Sequence, residues 1–327
     1  MSLASDLVLD AFKFDPKAIS RQTIELNEAC EANSEAARFW HEVPKEHRPR
    51  LPLQIGAAQY REMRRNGEGS LPKVVVLESG VNFKIPSREV GREIRCRLSK
   101  PEGGQVKGVM MHLHGGGWVF KGEDSNDELL KWMADNCGLA VSIPNCIDAA
   151  EWLVRIARPN YGAHLQFIGG ESAGAHLSVV TALHPHRAQP SFALKGLILH
   201  YGIYELATLL PAVHLCDKNL VTDRPNIELC INTFLPDHSI EQRRNPSISP
   251  IYARLSRGAL PPALFKVGTE DPMVDDSIMM AAKWQMSGKE AVLKLYPGAP
   301  HGFTFYPYSE AATSLGDKKR FVPSKME

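Results

Sequence analysis

Two glycine-bearing runs restrict this chain more than anything else in it: His114-Gly115-Gly116-Gly117-Trp118 and Gly170-Glu171-Ser172-Ala173-Gly174. Each follows an apolar stretch that reads as a strand. Three consecutive glycines let the backbone approach a ligand closely and turn its N–H groups inward. A Gly-x-Ser-x-Gly run sets its serine on a sharp strand-to-helix turn, where only small neighbours fit the crowded backbone. Such a chain needs strands ending at both motifs and a helix starting directly behind the serine. The pairing implies acyl transfer through a serine ester, with backbone donors facing an oxyanion.

The serine motif alone is weak, since roughly one ordinary chain in ten carries it by chance. Its setting adds weight. Phe167-Ile168 lead into Gly169-Gly170, and Ala173 to Leu177 opens a helix whose N-terminus favours developing negative charge. The glycine run lacks both the Gly-Lys-Ser/Thr ending and the Gly-x-Gly-x-x-Gly spacing of phosphate loops. His114 is expected to fix this loop rather than to titrate.

Around these motifs, strands alternate with helices. Strands are expected over Val106–Leu113, Leu139–Ile143, Leu165–Ile168, Leu197–Leu199, Ala263–Val267 and Val292–Leu295. Helices are expected over Asn126–Asn136 (ended by Gly138), Ile147–Ala157 and Ala173–Leu183. This alternation predicts an α/β protein with a mostly parallel sheet covered on both faces. Upstream, Lys73–Leu77 reads as extended and Val90–Leu98 as a strand. Residues 1–70 read as short polar helices, and 205–245 as an insertion with helices over Thr208–Asn219 and Ile227–Phe234. An insertion there would lie over the carboxyl ends of the strands, where open α/β sheets bind ligands. We therefore expect 1–70 and 205–245 to form a helical lid on a core made of 71–204 and 246–327.

A nucleophilic serine needs a base, and the chain has twelve histidines. His301 lies after the last expected strand, in the turn-rich run Pro297-Gly298-Ala299-Pro300-His301-Gly302-Phe303, which suits a base delivered on a loop. His184, His186 and His214 have no such setting, and His112 and His200 read as packing residues at strand ends. The acid should precede His301. Glu270, Asp271, Asp275 and Asp276 compete. Asp271 is favoured by its turn position before Pro272, Glu270 is the runner-up, and Asp275 and Asp276 suit a first helical turn.

Composition narrows the class. The chain has 327 residues, 43% hydrophobic and 23% charged, with a net charge of +1, as befits a globular protein with a sizeable core. Nothing in that balance calls for nucleic acid or an acidic membrane surface. No apolar run has the length of a membrane span. The N-terminus, with Asp6, Asp10 and Asp15, does not read as a secretory signal. Six scattered cysteines without a Cys-x-x-Cys pair suggest free thiols in a reducing compartment, hence a cytoplasmic protein without structural metal.

The motifs His114-Gly115-Gly116-Gly117-Trp118, Gly170-Glu171-Ser172-Ala173-Gly174, Asp271-Pro272-Met273-Val274-Asp275 and His301-Gly302-Phe303 resemble, in this order, the hormone-sensitive-lipase-like branch of the α/β-hydrolases. Arylacetamide deacetylases and many microbial carboxylesterases belong to it. The resemblance runs from about Val106 to Phe303. It implies the α/β-hydrolase fold, with Ser172 as nucleophile, Asp271 as acid and His301 as base. It also implies an oxyanion hole from the N–H groups of Gly116, Gly117 and Ala173, next to His114 and Gly115 of the glycine loop. The implied activity is hydrolysis of small esters of short or medium acyl chain, with a small-molecule ester as partner and no cofactor. Oligomeric state is left open.

Two departures from the family stand out. The usual Tyr-Arg-Leu-Ala-Pro-Glu segment is missing, because Val141-Ser142-Ile143-Pro144 runs almost directly into Asn145-Cys146-Ile147-Asp148. Its loss would open the pocket and weaken support for the glycine loop. From Ser309 onward the chain is short and polar, so a weak closing helix is expected. A non-catalytic binding protein on the same scaffold, as in gibberellin receptors, and an impaired variant are the alternatives. The receptors lack the catalytic histidine, so the presence of His301 favours an enzyme.

Overall fold

The strands pair into one sheet of eight. The computed structural model describes residues 57–68, 73–143, 147–184, 192–218, 220–255, 260–307 and 309–326. In chain order the elements are α1 (Ala57–Asn66), β1 (Val81–Pro86), β2 (Glu93–Ser99), β3 (Gly108–Leu113), α2 (Asp127–Cys137), β4 (Leu139–Ile143), α3 (Ile147–Tyr161), β5 (Leu165–Glu171) and α4 (Ala173–Leu183). Then follow β6 (Gly196–His200), α5 (Pro211–Leu215), α6 (Arg224–Phe234), α7 (Ile240–Arg243), β7 (Ala263–Gly268), α8 (Val274–Met286), β8 (Ala291–Tyr296) and α9 (Ser309–Met326). The strand order is β1-β2-β4-β3-β5-β6-β7-β8. The pairs β1–β2 and β2–β4 are antiparallel, and the pairs from β4 to β8 are parallel. The fold is the expected mostly parallel sheet flanked by helices.

Side-chain alternation along the strands divides the core between two faces. From β3, Val109, Met111 and Leu113 pack with Leu153, Val179 and Trp284 on one face. Met110 points the other way and packs with Leu130, Phe167, Ile198, Phe321 and Val322. Gly138 caps α2 with φ 68°, its N–H donating to Ala134 O at 2.9 Å, so this helix ends where the glycine was expected to end it.

Four expectations need correction. Lys73–Leu77 is extended but joins no strand. The Leu77 N–H donates to Asp127 Oδ2 at 2.8 Å, and the Leu77 carbonyl accepts from Arg97 Nη2 at 2.6 Å, so side chains take the place of a ladder. Arg97 and Asp127 form a buried two-bond pair of 2.7 and 2.6 Å that clips this segment to α2. The first strand is instead Val81–Pro86, an edge strand in which only Ile85 is buried, and β2 begins at Glu93, not Val90. The helix expected over Thr208–Asn219 shortens to α5.

The largest correction is at the C-terminal end. Ser309–Met326 is an 18-residue helix, not a weak one. Its buried stripe mixes Phe321 and Val322 with Ser314, Asp317 and Lys318, which hides it from a hydrophobic-period reading. Phe321 and Val322 close one face of the sheet, and burial of such side chains contributes about 1.5–3 kcal/mol each. Two bonds reach this helix from the sheet: the Tyr296 hydroxyl donates to Asp317 Oδ2 at 2.5 Å, and the Ser314 backbone carbonyl accepts from the buried Lys266 ammonium.

The junction where the family segment is missing, residues 144–146, lies outside the described residues, as do the helices expected before residue 57. The start of α3 is tied to the β1–β2 hairpin. Asp148 accepts from Ser87 Oγ at 2.7 Å and from the Arg88 N–H at 3.0 Å, and it pairs with the Arg88 guanidinium. No helix among the described residues is long and apolar enough to cross a membrane. Cys96, Cys137, Cys216 and Cys230 form no disulfide.

Candidate active site

Ser172 stands between β5 and α4 with φ 55° and ψ −121°, a left-handed conformation that L-residues avoid. Hydrogen bonds on both sides hold it there. Its N–H donates to His200 O at 2.8 Å, and its carbonyl accepts from the N–H groups of Ala175 and His176 at 2.9 and 3.1 Å. The flanking glycines are required by close approach. A Cβ on Gly170 would lie 2.1 Å from Leu113 O, and one on Gly174 only 1.9 Å from the same oxygen. The end of β3 is thus packed against both sides of the serine turn, which brings the glycine loop to Ser172.

His301 arrives on the loop after β8. Its Nε2 is 3.0 Å from Ser172 Oγ and its Nδ1 is 2.8 Å from Asp271 Oδ2. Asp271 is fully buried, and its other oxygen accepts from the Met273 N–H at 2.9 Å. The Tyr201 ring packs edge-on to the imidazole at 4.9 Å.

The carboxylates that compete in sequence are separated by their partners. Glu270 accepts from Lys218 Nζ at 3.0 Å. Asp275 accepts from the Ala212 N–H at 2.8 Å, tying α8 to α5. Asp276 accepts through Oδ1 from the Tyr204 and Glu205 N–H groups at 2.5 and 2.9 Å, while its buried Oδ2 has no partner among the described residues. Burial pushes the Asp276 carboxyl up to about 8, despite those two donors. Asp271 is the only one of the four hydrogen-bonded to His301.

In the glycine loop, Gly116 and Gly117 have φ of 98° and 55°. The N–H groups of Val119 and Phe120 both donate to Gly116 O, at 3.1 and 2.8 Å, which folds the loop back on itself. The N–H groups of Gly116, Gly117 and Ala173 donate to no acceptor among the described residues. His114 bonds Gly115 O through Nδ1 at 2.9 Å, and burial holds its ring below the usual histidine range. The loop draws support from elsewhere than the missing segment. Trp118 stacks on Phe234 of α6 at 4.7 Å and donates to His176 Nδ1 at 3.2 Å. His176 in turn donates to Ile248 O at 2.6 Å, and burial lowers it to about 4, so it stays neutral. From α1, Arg61 donates to Val119 O at 2.6 Å.

Beneath the serine lies a buried polar cluster that the sequence reading missed. Glu171 meets His112 Nε2 at 2.8 Å and accepts from Asn126 Nδ2 at 2.9 Å. Burial raises this carboxyl, but His112, Lys318 and Lys121 overcome it and hold the group at about 2. The approach of Lys318 from α9 has no local sequence signal. His112, expected only to pack, is one of the cluster's polar members.

Ser172 and His301 open onto a mostly apolar cavity of about 160 Å³. Its walls include Tyr60 and Met63 of α1, Ile227 and Cys230 of α6, and Phe305. Three of the four non-glycine residues with positive φ among those described, Trp118, Ser172 and Tyr201, line it, as strain at a working site would. His184 lies 3.9 Å from Glu151, His214 meets Thr208 O at 2.9 Å, and His200 is buried at the end of β6; none lines the cavity. His186 lies outside the described residues. No cluster of three or more metal-ligating side chains occurs among the described residues.

Known proteins share these features. Residues 110–305 match a family described as alpha/beta hydrolase fold. An acetyl esterase of Salmonella choleraesuis is 24% identical over 255 residues, covering 72% of this chain and 77% of that protein. The carboxylic ester hydrolase LipN of Mycobacterium tuberculosis is 25% identical over 233 residues, covering 64% of this chain and 61% of that protein. The crystal structure of a thermostable esterase from Pseudomonas putida ECU1011 superposes with a TM-score of 0.74 at 17% identity, covering 89% of this chain and 97% of that one.

Proposed function

This chain belongs to the α/β-hydrolase fold family, and from that premise we propose that it is a serine carboxylesterase acting on small esters of short or medium acyl chain. The observation that carries the reading is the relay from Ser172 Oγ to His301 Nε2 at 3.0 Å and from His301 Nδ1 to Asp271 at 2.8 Å. His301 takes the serine proton as Oγ attacks the ester carbonyl, and Asp271 steadies the imidazolium that forms. The N–H groups of Gly116, Gly117 and Ala173, which donate to no acceptor among the described residues, hold the oxyanion. Collapse expels the alcohol with the proton from His301. Water, deprotonated by the same imidazole, then attacks the acyl-enzyme and releases the acid.

We read α1 and the 205–245 segment as the lid, since both contribute walls to the cavity. The relay favours an enzyme over a binding protein on the same scaffold, because binding alone gives no reason to aim His301 at a strained serine. A fluorophosphonate should label the protein once, at Ser172, and p-nitrophenyl esters should be hydrolysed with a preference for shorter chains. Absence of labelling together with absence of turnover would refute the reading.

A further inference from the structure

Lys121 lies inside the cavity, and nothing in the ester-hydrolysis scheme uses it. It lines the same space as Ser172 and His301, four residues beyond Gly117. The turn at Gly116 O brings it back along the glycine loop, so closely that a Cβ on Gly116 would sit 2.8 Å from Lys121 Cγ. Its ammonium stands 3.7 Å from the Phe305 ring centroid, on the cavity wall.

That ammonium is poorly satisfied. Its one hydrogen-bond contact among the described residues is Asn126 Oδ1, at 3.5 Å, the outer limit of such a bond. An ammonium can donate three bonds. Other lysines have carboxylates within reach: Lys84 with Glu93, Lys131 with Asp135, Lys218 with Glu270 and Lys325 with Glu290. Lys121 has no described carboxylate within 4 Å.

The cavity walls carry charges of both signs, and the anionic ones have other partners. Arg64, largely buried, lines it too. Glu171 faces Lys121 from below, but both its oxygens are engaged by His112 and Asn126. Glu68 stands at the exposed rim and accepts from Asn66. Asp271 is taken by His301 and the Met273 N–H. Tyr60, Tyr201 and Cys230 also line the walls, and burial pushes the Cys230 thiol up to about 12. Burial, with Arg64 adding to it, lowers the Lys121 ammonium to about 7. A ligand anion would relieve this desolvated cation.

We propose that Lys121 is a specificity-determining residue, and that the preferred substrate is an ester carrying a carboxylate, held by Lys121, with its apolar part against Tyr60, Met63 and Phe305. The proposal rests on the esterase reading for turnover, but not for binding.

The test compares esters of matched shape. Phenyl hydrogen succinate carries the carboxylate on the acyl side, and phenyl 4-methylpentanoate is its uncharged counterpart. The acid on the leaving-group side is probed by 4-acetoxybenzoate against 4-isopropylphenyl acetate. In one pair or the other, kcat/KM should favour the anion on the order of tenfold, as expected for a charge-assisted bond. Lys121→Met should collapse that ratio and Lys121→Arg should preserve most of it. Both members of a pair need the same serine and histidine, so the ratio cancels those groups. It should fall as pH rises above about 7, where the ammonium is lost.

Calorimetric titration of the Ser172→Ala protein with the same compounds separates the two readings. Tighter binding of an anion, lost on adding Lys121→Met, supports the anion site even where hydrolysis fails. Equal kcat/KM within both pairs, or a Lys121→Met variant that slows charged and uncharged esters alike, would overturn the proposal and leave Lys121 as packing for the glycine loop. Hydrolysis of the uncharged esters with no anion preference would overturn it while leaving the esterase reading intact.

Discussion

The turn from β5 into α4 and the turn from β7 into α8 both leave the carboxyl end of a parallel strand, and each delivers one side chain to His301. They hold those side chains differently. At Ser172 the backbone is forced into positive φ, and the neighbours are glycines because Leu113 O leaves no room for a Cβ. At Asp271 the backbone is ordinary and the selection is made by hydrogen bonds: Lys218 takes Glu270, the Ala212 N–H takes Asp275 and the Tyr204–Glu205 backbone takes Asp276. One turn is specified by steric exclusion between adjacent strands. The other is specified by partners that lie 52 to 72 residues away in sequence. A steric turn leaves a fixed motif, whereas a turn chosen by distant partners leaves several acids that look alike.

The largest effect should come from the steric turn. Ser172→Ala should lower kcat by a factor on the order of 10⁴ to 10⁶, to the residue of catalysis left by binding and the oxyanion donors. Asp271→Asn follows, at about 10⁴-fold in kcat, because the amide leaves His301 in the wrong tautomer. Steady-state kinetics on folded variants checks both. Comparable losses in Glu270→Gln would move the acid and erase the difference between the two turns.

Next comes a contrast in pH dependence of stability, read from buried acids beside each turn. Glu171, below Ser172, is held at about 2, under its ordinary carboxyl value. Its contribution is therefore full above the unfolded pKa and is lost as pH falls toward 2. Asp276, near Asp271, is raised to about 8. Its contribution is full below the unfolded pKa and is lost as pH rises through about 8. Urea unfolding across pH should show Glu171→Gln flattening the rise between about 2 and 4.5, and Asp276→Asn flattening the fall between about 4 and 8. The same flank changed by both variants would mean that the two sites do not differ as argued.

The smallest effects belong to the acids that serve only as anchors. Asp275→Asn should cost about 1 kcal/mol of stability through the weakened bond to Ala212 and leave kcat within a few-fold. Glu270→Gln, at a partly exposed ion pair, should change stability by less than about 1 kcal/mol. A thousandfold loss of kcat in either variant would contradict the hydrogen-bond sorting.

The same contrast explains what was legible in the sequence. The strands β3, β5, β6 and β7 could be read because their apolar runs are buried on both faces, the half-buried edge strand β8 from the apolar residues of its short run, and the nucleophile and glycine-loop candidates because glycines mark steric crowding. His301 could be read from its turn-rich loop. Edge strand β1 could not, since only Ile85 is buried and no alternation results. The helix α9 was hidden by a buried face that includes Ser314, Asp317 and Lys318. Lys121 left one faint trace, a lone cation after the apolar run Trp118-Val119-Phe120. Its meaning depends on Phe305 and Arg64, which sequence spacing does not bring near it.

The positive φ at Ser172 also bears on how this protein would drift under selection. Holding a residue with a Cβ there costs about 1–2 kcal/mol. Ser172→Gly would recover that cost, offset by about 0.4–1 kcal/mol from a more flexible unfolded chain. The balance favours the glycine, at the expense of the proposed nucleophile. Lineages or libraries screened for heat resistance alone would therefore tend to discard the hydroxyl first. Persistence of serine at this position through such a screen would be evidence that hydrolysis itself was being selected.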